Sequence, residues 1–146
     1  MKTAIVYYSA HHGNTKKLLD AIAEKYDVAL IDVTKDKTAD ISQYDRIGFA
    51  SGIYYGSFAK QILAYAEEKL PKGKTVFYIA TYGTKKSSYY RAIGKIAESK
   101  DCREIGRYGC PGFDTFGPFK LVGGIAKGHP TEDEINGAIQ FYDNLR

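Results

Sequence analysis

The chain contains no tryptophan, a single methionine and only two cysteines. Cys102 and Cys110 have seven residues between them, a spacing that matches no zinc or iron–sulfur pattern. Two thiols are too few for a disulfide scaffold, and they are read as free, one of them packed. No apolar run is long enough to span a membrane. The opening MKTAIVYY enters a strand directly and a polar loop follows it, so no signal peptide is expected and the location is read as cytoplasmic. No block of five like charges occurs. Lysine and arginine are scattered in pairs at most, and the net charge of +4 is explained largely by solvated helix faces. A nucleic-acid surface would need a basic stripe interleaved with aromatics. Only Lys85, Lys86, Tyr89, Tyr90 and Arg91 approach one, so no nucleic-acid partner is expected. The sequence also lacks both GxxxxGK[ST] and GxGxxG, which excludes the two commonest glycine-rich phosphate signatures.

What is present is an alternation of strands and helices. Thr3–Tyr8, Val28–Val33, Arg46–Ala50 and Thr75–Ala80 are nearly continuous apolar runs, as parallel strands covered on both faces require. Arg103–Tyr108 is more polar and reads as an edge strand. Between them lie stripes at helical spacing: Leu18, Leu19, Ile22, Ala23 and Tyr26; Phe58, Ile62, Leu63, Ala66 and Leu70; Tyr90, Ile93, Ile96 and Ala97; Ile135, Ala138, Ile139 and Tyr142. Thr131 with Glu134 three residues later forms a capping-box pattern after Pro130. This order predicts an α/β fold in one domain, residues 1–146, with βαβ units wound in both directions from the centre of the sheet. Gly109–His129 fits neither pattern. It is long, aromatic and glycine-rich, and reads either as a functional loop or as a structural flap continuing the last strand.

In an open parallel sheet, ligands bind beyond the carboxyl ends of the strands, where the strand order reverses. Three loops there have ligand-like composition. The first carries Ser9, Ala10, His11, His12, Gly13, Asn14 and Thr15 and runs into an amphipathic helix. Its hydroxyl and amide groups, beside the free N–H groups and positive dipole end of a helix, suit a phosphate, as in a phosphomonoester. His11 and His12 suit either phosphate contact or solvent exposure. The second loop, Ser51, Gly52, Ile53, Tyr54, Tyr55 and Gly56, and the third, Thr81, Tyr82, Gly83 and Thr84, combine tyrosine faces with glycine backbone. They suit a flat ring with polar edges. None of the three loops contains an acidic residue, and no residue is required as a catalytic acid or base or as a metal ligand. Asp32, at the end of the second strand, stands where a ribose-binding acid would stand in a dinucleotide fold. Without the glycine fingerprint it is read as a loop or cap residue.

On these residues the whole chain resembles the flavodoxins and flavodoxin-like FMN proteins. The resemblance implies a five-stranded sheet in the order 2-1-3-4-5, with FMN as cofactor. Ser9, Gly13, Asn14 and Thr15 match the family's phosphate loop. Ser51–Gly56 and Thr81–Thr84 fall where the family holds the isoalloxazine ring, with Tyr82 as a ring-stacking residue. The phosphate loop is one residue longer than in typical small flavodoxins. That spacing and ASGIYYGSFAKQI are similar to menaquinone-dependent protoporphyrinogen oxidases, and typical carrier flavodoxins are acidic where this chain is basic. The resemblance therefore implies an FMN-binding electron-transfer protein with a redox partner protein, as a monomer or weak dimer. The alternative is an FMN-dependent oxidoreductase acting on a quinone-like or porphyrin-like small molecule. A reading of a different class is a non-redox regulator that binds a nucleotide or phosphate.

Overall fold

A computed structural model describes residues 1–10, 13–112 and 128–145. Strand β1 (Thr3–Tyr8) lies inside the sheet, between β2 (Val28–Asp32) and β3 (Arg46–Tyr54). The sheet continues through β5 (Thr75–Tyr82) to β6 (Arg103–Pro111), giving the order β2-β1-β3-β5-β6, all parallel. These are the five strands expected, in the order expected. The sixth, β4 (Ser57–Phe58), is a two-residue antiparallel arm hairpinned onto β3.

Three strand ends differ from the sequence reading in a way that matters for the site. β5 runs two residues past Ala80, so Thr81 and Tyr82 are strand rather than loop. β3 runs four residues past Ala50, so Ser51, Gly52, Ile53 and Tyr54 are strand rather than loop. β6 extends through Gly109, Cys110 and Pro111, so the first residues of the long late segment continue the last strand. All three extensions have a partner to pair with. Gly52 pairs with Thr81, Tyr54 with Ser57, and Pro111 with Tyr82. The rest of that segment, residues 113–127, lies outside the described residues.

The period-2 alternation of the strands divides the core into two layers. Ala4, Val6, Ile47, Phe49, Val76 and Tyr78 point to one face, where α2 (Lys60–Lys69) and α3 (Arg91–Ser99) pack. Ile5, Tyr7, Ala50, Phe77 and Ile79 point to the other, covered by α1 (Asn14–Lys25) and α4 (Glu132–Leu145). A side-chain carbon at Gly48 would fall 2.5 Å from the Phe77 ring, so only glycine leaves that ring its place on the α1/α4 face. The expected capping box opens α4. The Glu134 amide donates to Thr131 Oγ1 at 3.2 Å and the Thr131 amide donates to Glu134 Oε1 at 2.7 Å.

Arg46, the first residue of β3, is a buried cation at 5% exposure. Its Nε donates to Thr3 Oγ1 (3.2 Å), one terminal nitrogen to the Leu145 carbonyl (2.9 Å) and the other to the Tyr142 hydroxyl (3.1 Å). The guanidinium carbon stands 5.3 Å from the centre of the Tyr142 ring. The carbonyl end of α4 carries the negative pole of its dipole, so this contact satisfies an orphan acceptor and complements charge together.

Candidate functional site

The chain passes from β1 to β2 on one side and returns to β3 on the other, so the direction of winding reverses between β1 and β3. The carboxyl ends of β1, β3 and β5 meet there. Gly13 is the N-cap of α1 and sits in the left-handed region, φ 66° and ψ 25°, where glycine carries no steric cost. No cap side chain and no acidic residue occupies the first turn. The Lys16 amide donates to Ser9 Oγ at 3.1 Å, which curls the loop back over the helix start. Asn14 and Thr15 are buried, at 6% and 1% exposure. Thr15 Oγ1 lies 2.9 Å from Thr81 Oγ1, tying the first loop to the third. The exit of β6 closes on the same place. The Gly112 amide donates to the Tyr82 carbonyl at 2.8 Å, and a side-chain carbon at Gly112 would fall 2.7 Å from Asn14 Nδ2. Ala10 is exposed, and His11 and His12 lie outside the described residues.

In the second group, Ser51 is fully buried. Its Oγ accepts from the Ala59 amide at 2.9 Å and donates to the Gly52 carbonyl, so it pins the hairpin to the start of α2. Tyr55 and Gly56 form the two-residue turn, with φ 51° and 78°. A type I′ two-residue turn demands positive φ at both positions, and Tyr55 and Gly56 supply it. Tyr55 is 92% exposed at the tip. Tyr54 folds back and meets Tyr8 edge-to-face, ring centres 5.6 Å apart. Ile53 and Gly52 are half-buried in the strand.

The third loop holds a residue whose placement departs from the resemblance. Tyr82 is buried, its ring 5.9 Å from that of Tyr89 and pressed on the bare backbone of Gly109. Tyr55 is therefore the tyrosine presented outward, while Tyr82 belongs to the α2/α3 core layer. Gly83 is half-buried and Thr84 exposed, and the Tyr89 hydroxyl donates to the Thr84 carbonyl at 2.7 Å, closing the turn.

A cavity of about 540 Å³ opens beside the hairpin, walled by Tyr8, Tyr54, Tyr55, Phe58 and Leu63, with Lys60 and Gln61 at its rim. Ser57 also lines it, and its buried Oγ makes no hydrogen bond among the described residues. Sequence reading assigned Lys60, Gln61 and Tyr8 no role. They come to the cavity because the hairpin bends the chain back over the end of β1.

Electrostatically the site is neutral to basic. Burial raises the Tyr82 hydroxyl above its ordinary range, and pushes Tyr90, Tyr108 and Cys110 each up to about 12. None of these groups ionises near neutrality, so these residues supply shape and hydrogen bonds rather than acid–base chemistry. Asp32, the last residue of β2, fastens the turn that follows: its Oδ1 accepts from the amide and the hydroxyl of Thr34, at 2.9 and 2.6 Å. Among the described residues no group of three or more His, Cys, Asp or Glu is placed to hold a metal ion, and no helix is long and apolar enough to cross a membrane.

Residues 5–103 match the model of the flavodoxin domain. The chain belongs to this family. An uncharacterized protein of Methanocaldococcus jannaschii is 36% identical over 99% of this chain and 98% of its own length. Among solved structures, a variant Fusobacterium nucleatum flavodoxin bound to flavin mononucleotide superposes with a TM-score of 0.65 at 19% identity, covering 100% of this chain and 98% of that one. An NADPH-quinone reductase of P. pentosaceus superposes with a TM-score of 0.65 at 13% identity, covering 97% of each chain. At such identities the structural likeness carries the fold. In this flavodoxin-domain protein, a sheet that ends in three acid-free loops is the family framework with its own choice of side chains.

Proposed function

We propose that this protein binds one FMN at the carboxyl ends of β1, β3 and β5 and transfers electrons through it. The observation that carries the reading is the start of α1. A left-handed glycine caps the helix, no acidic residue stands in its first turn, and Asn14 and Thr15 are buried there. That donor set fits a phosphate monoester. Ser9 and the loop through Thr15 are assigned to the phosphate. Gly52, Ile53, Tyr54, Tyr55 and Gly56 flank the ring on one side and Thr81, Gly83 and Thr84 on the other. Ser51 and Tyr82 hold these loops in shape from beneath. When bound, the flavin supplies one- and two-electron chemistry, while the protein supplies orientation and electrostatics.

The test begins with the colour and the released cofactor of the purified protein. Binding of FMN to cofactor-free protein is then measured by calorimetry. A colourless protein that takes up no added FMN overturns the reading.

The 540 Å³ cavity favours a second reading, an FMN-dependent oxidoreductase acting on a quinone-like small molecule. Its tyrosine and phenylalanine walls suit a flat ring, and Ser57 Oγ offers a donor to a ring carbonyl. Steady-state turnover with a soluble quinone and a nicotinamide donor separates the two. A carrier shows little, and an oxidoreductase shows sustained turnover that falls in a Ser57→Ala variant.

A further inference from the structure

A second cavity, about 360 Å³, lies between β6 and the turn that follows β5. Lys85, Lys86 and Ser87 line it from the turn, Arg107 from β6, and Tyr82 and Tyr90 form part of its wall. Three cations meet there and no acidic side chain lines it. Lys85 and Lys86 make no salt bridge among the described residues. Arg107 is held on two sides. It donates to both carboxylate oxygens of Glu104, at 2.6 and 3.1 Å, and its guanidinium carbon stands 4.8 Å from the centre of the Tyr90 ring. Glu104 thus neutralises one of the three charges and leaves two uncompensated.

One further feature bears on the cleft. Tyr82, only 8% exposed, also lines the cleft and carries a hydroxyl that can donate as well as accept. Excess positive charge and the Tyr82 hydroxyl ask for the same thing, an anion rich in acceptor oxygens.

We propose that this cleft binds an oxyanion, a phosphate or carboxylate carried by the small molecule that exchanges electrons with the cofactor. The electron-exchange role rests on the function proposed above, while oxyanion binding itself does not. The concave shape selects a small molecule, because an acidic protein face needs no cavity to meet surface lysines. Tyr82 links the two sites, since its backbone belongs to the third cofactor loop and its side chain walls the cleft.

The probes are inorganic pyrophosphate and phthalate, titrated into FMN-saturated protein so that the Gly13–Thr15 loop is already filled. Chloride at about 0.15 M suppresses diffuse attraction. The readout is the amide resonances of Ser87–Tyr90 and Gly109. Saturable shifts are expected there. Affinity falls at least about tenfold in the Lys85→Ala, Lys86→Ala double variant, as loss of charge-assisted hydrogen bonds requires, and severalfold in Tyr82→Phe. Absence of saturable shifts, or unchanged affinity in the double variant, overturns the proposal. So does binding of a polyglutamate peptide without either small probe, which would make the cleft a protein-docking face. If the protein takes up no FMN, the titration is run on the cofactor-free Asn14→Ala variant. Shifts at Ser87–Tyr90 then uphold the oxyanion site while the cofactor reading fails alone, and their absence overturns both.

Discussion

Thr15 Oγ1 and Thr81 Oγ1 meet at 2.9 Å across 66 residues of chain, both residues buried. This one contact joins the helix start assigned to the phosphate to the loop assigned to the ring. Replacing either threonine by valine leaves the other hydroxyl buried without a partner, at a cost of about 1–3 kcal/mol. Replacing both removes the mismatch. Urea unfolding of the two single variants and the double variant is therefore expected to be non-additive, with the double variant less destabilised than the sum. Additive losses would mean that the hydroxyls do not interact.

Asn14 sits under the backbone of Gly112, where a side-chain carbon would fall 2.7 Å from its amide nitrogen. Asn14→Ala is expected to weaken FMN binding about tenfold, the equivalent of one hydrogen bond to a charged group. Gly112→Ala pushes on Asn14 from the exit of β6, beside the hydrogen bond from the Gly112 amide to the Tyr82 carbonyl, and is expected to produce a loss of similar size. Calorimetry on both variants checks this. Unchanged affinity in Gly112→Ala would show that Asn14 is not held in place from β6.

The tyrosines of the two ring loops should separate cleanly. Tyr55 is 92% exposed, so Tyr55→Leu is expected to change stability by no more than about 0.5 kcal/mol. It should brighten the fluorescence of bound FMN if this ring quenches it by stacking. Tyr82→Leu removes part of a buried ring from the core layer and is expected to cost roughly 2–4 kcal/mol. Emission spectra and urea midpoints distinguish the two. A brighter flavin in Tyr82→Leu but not in Tyr55→Leu would reverse the assignment.

Arg46 fastens the amino-terminal end of the sheet to α4 through two hydrogen bonds, with a third to Thr3 inside the sheet. Arg46→Ala strands the Leu145 carbonyl and the Tyr142 hydroxyl and is expected to cost about 2–4 kcal/mol. Arg46→Lys cannot reach three acceptors from one ammonium in the same geometry and should recover only part. Thermal unfolding of both variants tests this. Amide exchange should show the last turn of α4 opening before the sheet.

Glu134 links acid sensitivity to the start of α4. Burial raises its carboxyl pKa, but the Thr131 amide and the His129 ring, with the Thr131 hydroxyl, outweigh this and lower it. A carboxylate whose pKa is lower in the folded protein contributes stability above its ordinary pKa, and loses it as pH falls through the folded value. Glu134→Gln should therefore lessen the fall in stability below about pH 4.3, by at most about 1 kcal/mol for a partly exposed group. Unfolding measured from pH 7 to pH 3 checks the slope. An identical acid profile in the variant would remove Glu134 from the titrating set.

Local pattern alone carried much of this protein. Near-continuous apolar runs marked β1, β2, β3 and β5, because a parallel strand covered on both faces has no polar side to show. Thr131 and Glu134 marked the start of α4, because a capping box closes within four residues. The acid-free turn at Gly13 marked the helix start for the same local reason. Long-range packing decided the rest. The two-residue arm Ser57–Phe58 exists only by pairing with Ile53 and Tyr54, too short a strand to leave a periodic signal. Arg46 reads only as the first residue of a strand until α4, from the other end of the chain, delivers Leu145 and Tyr142 to it. Tyr82 reads as a ligand-facing aromatic, yet Gly109 on the neighbouring strand leaves room for its ring and burial holds it there. Residues that depend on neighbours a few positions away were legible in the sequence. Those whose partners arrive from another strand or helix were determined only when tertiary structure brought the partner.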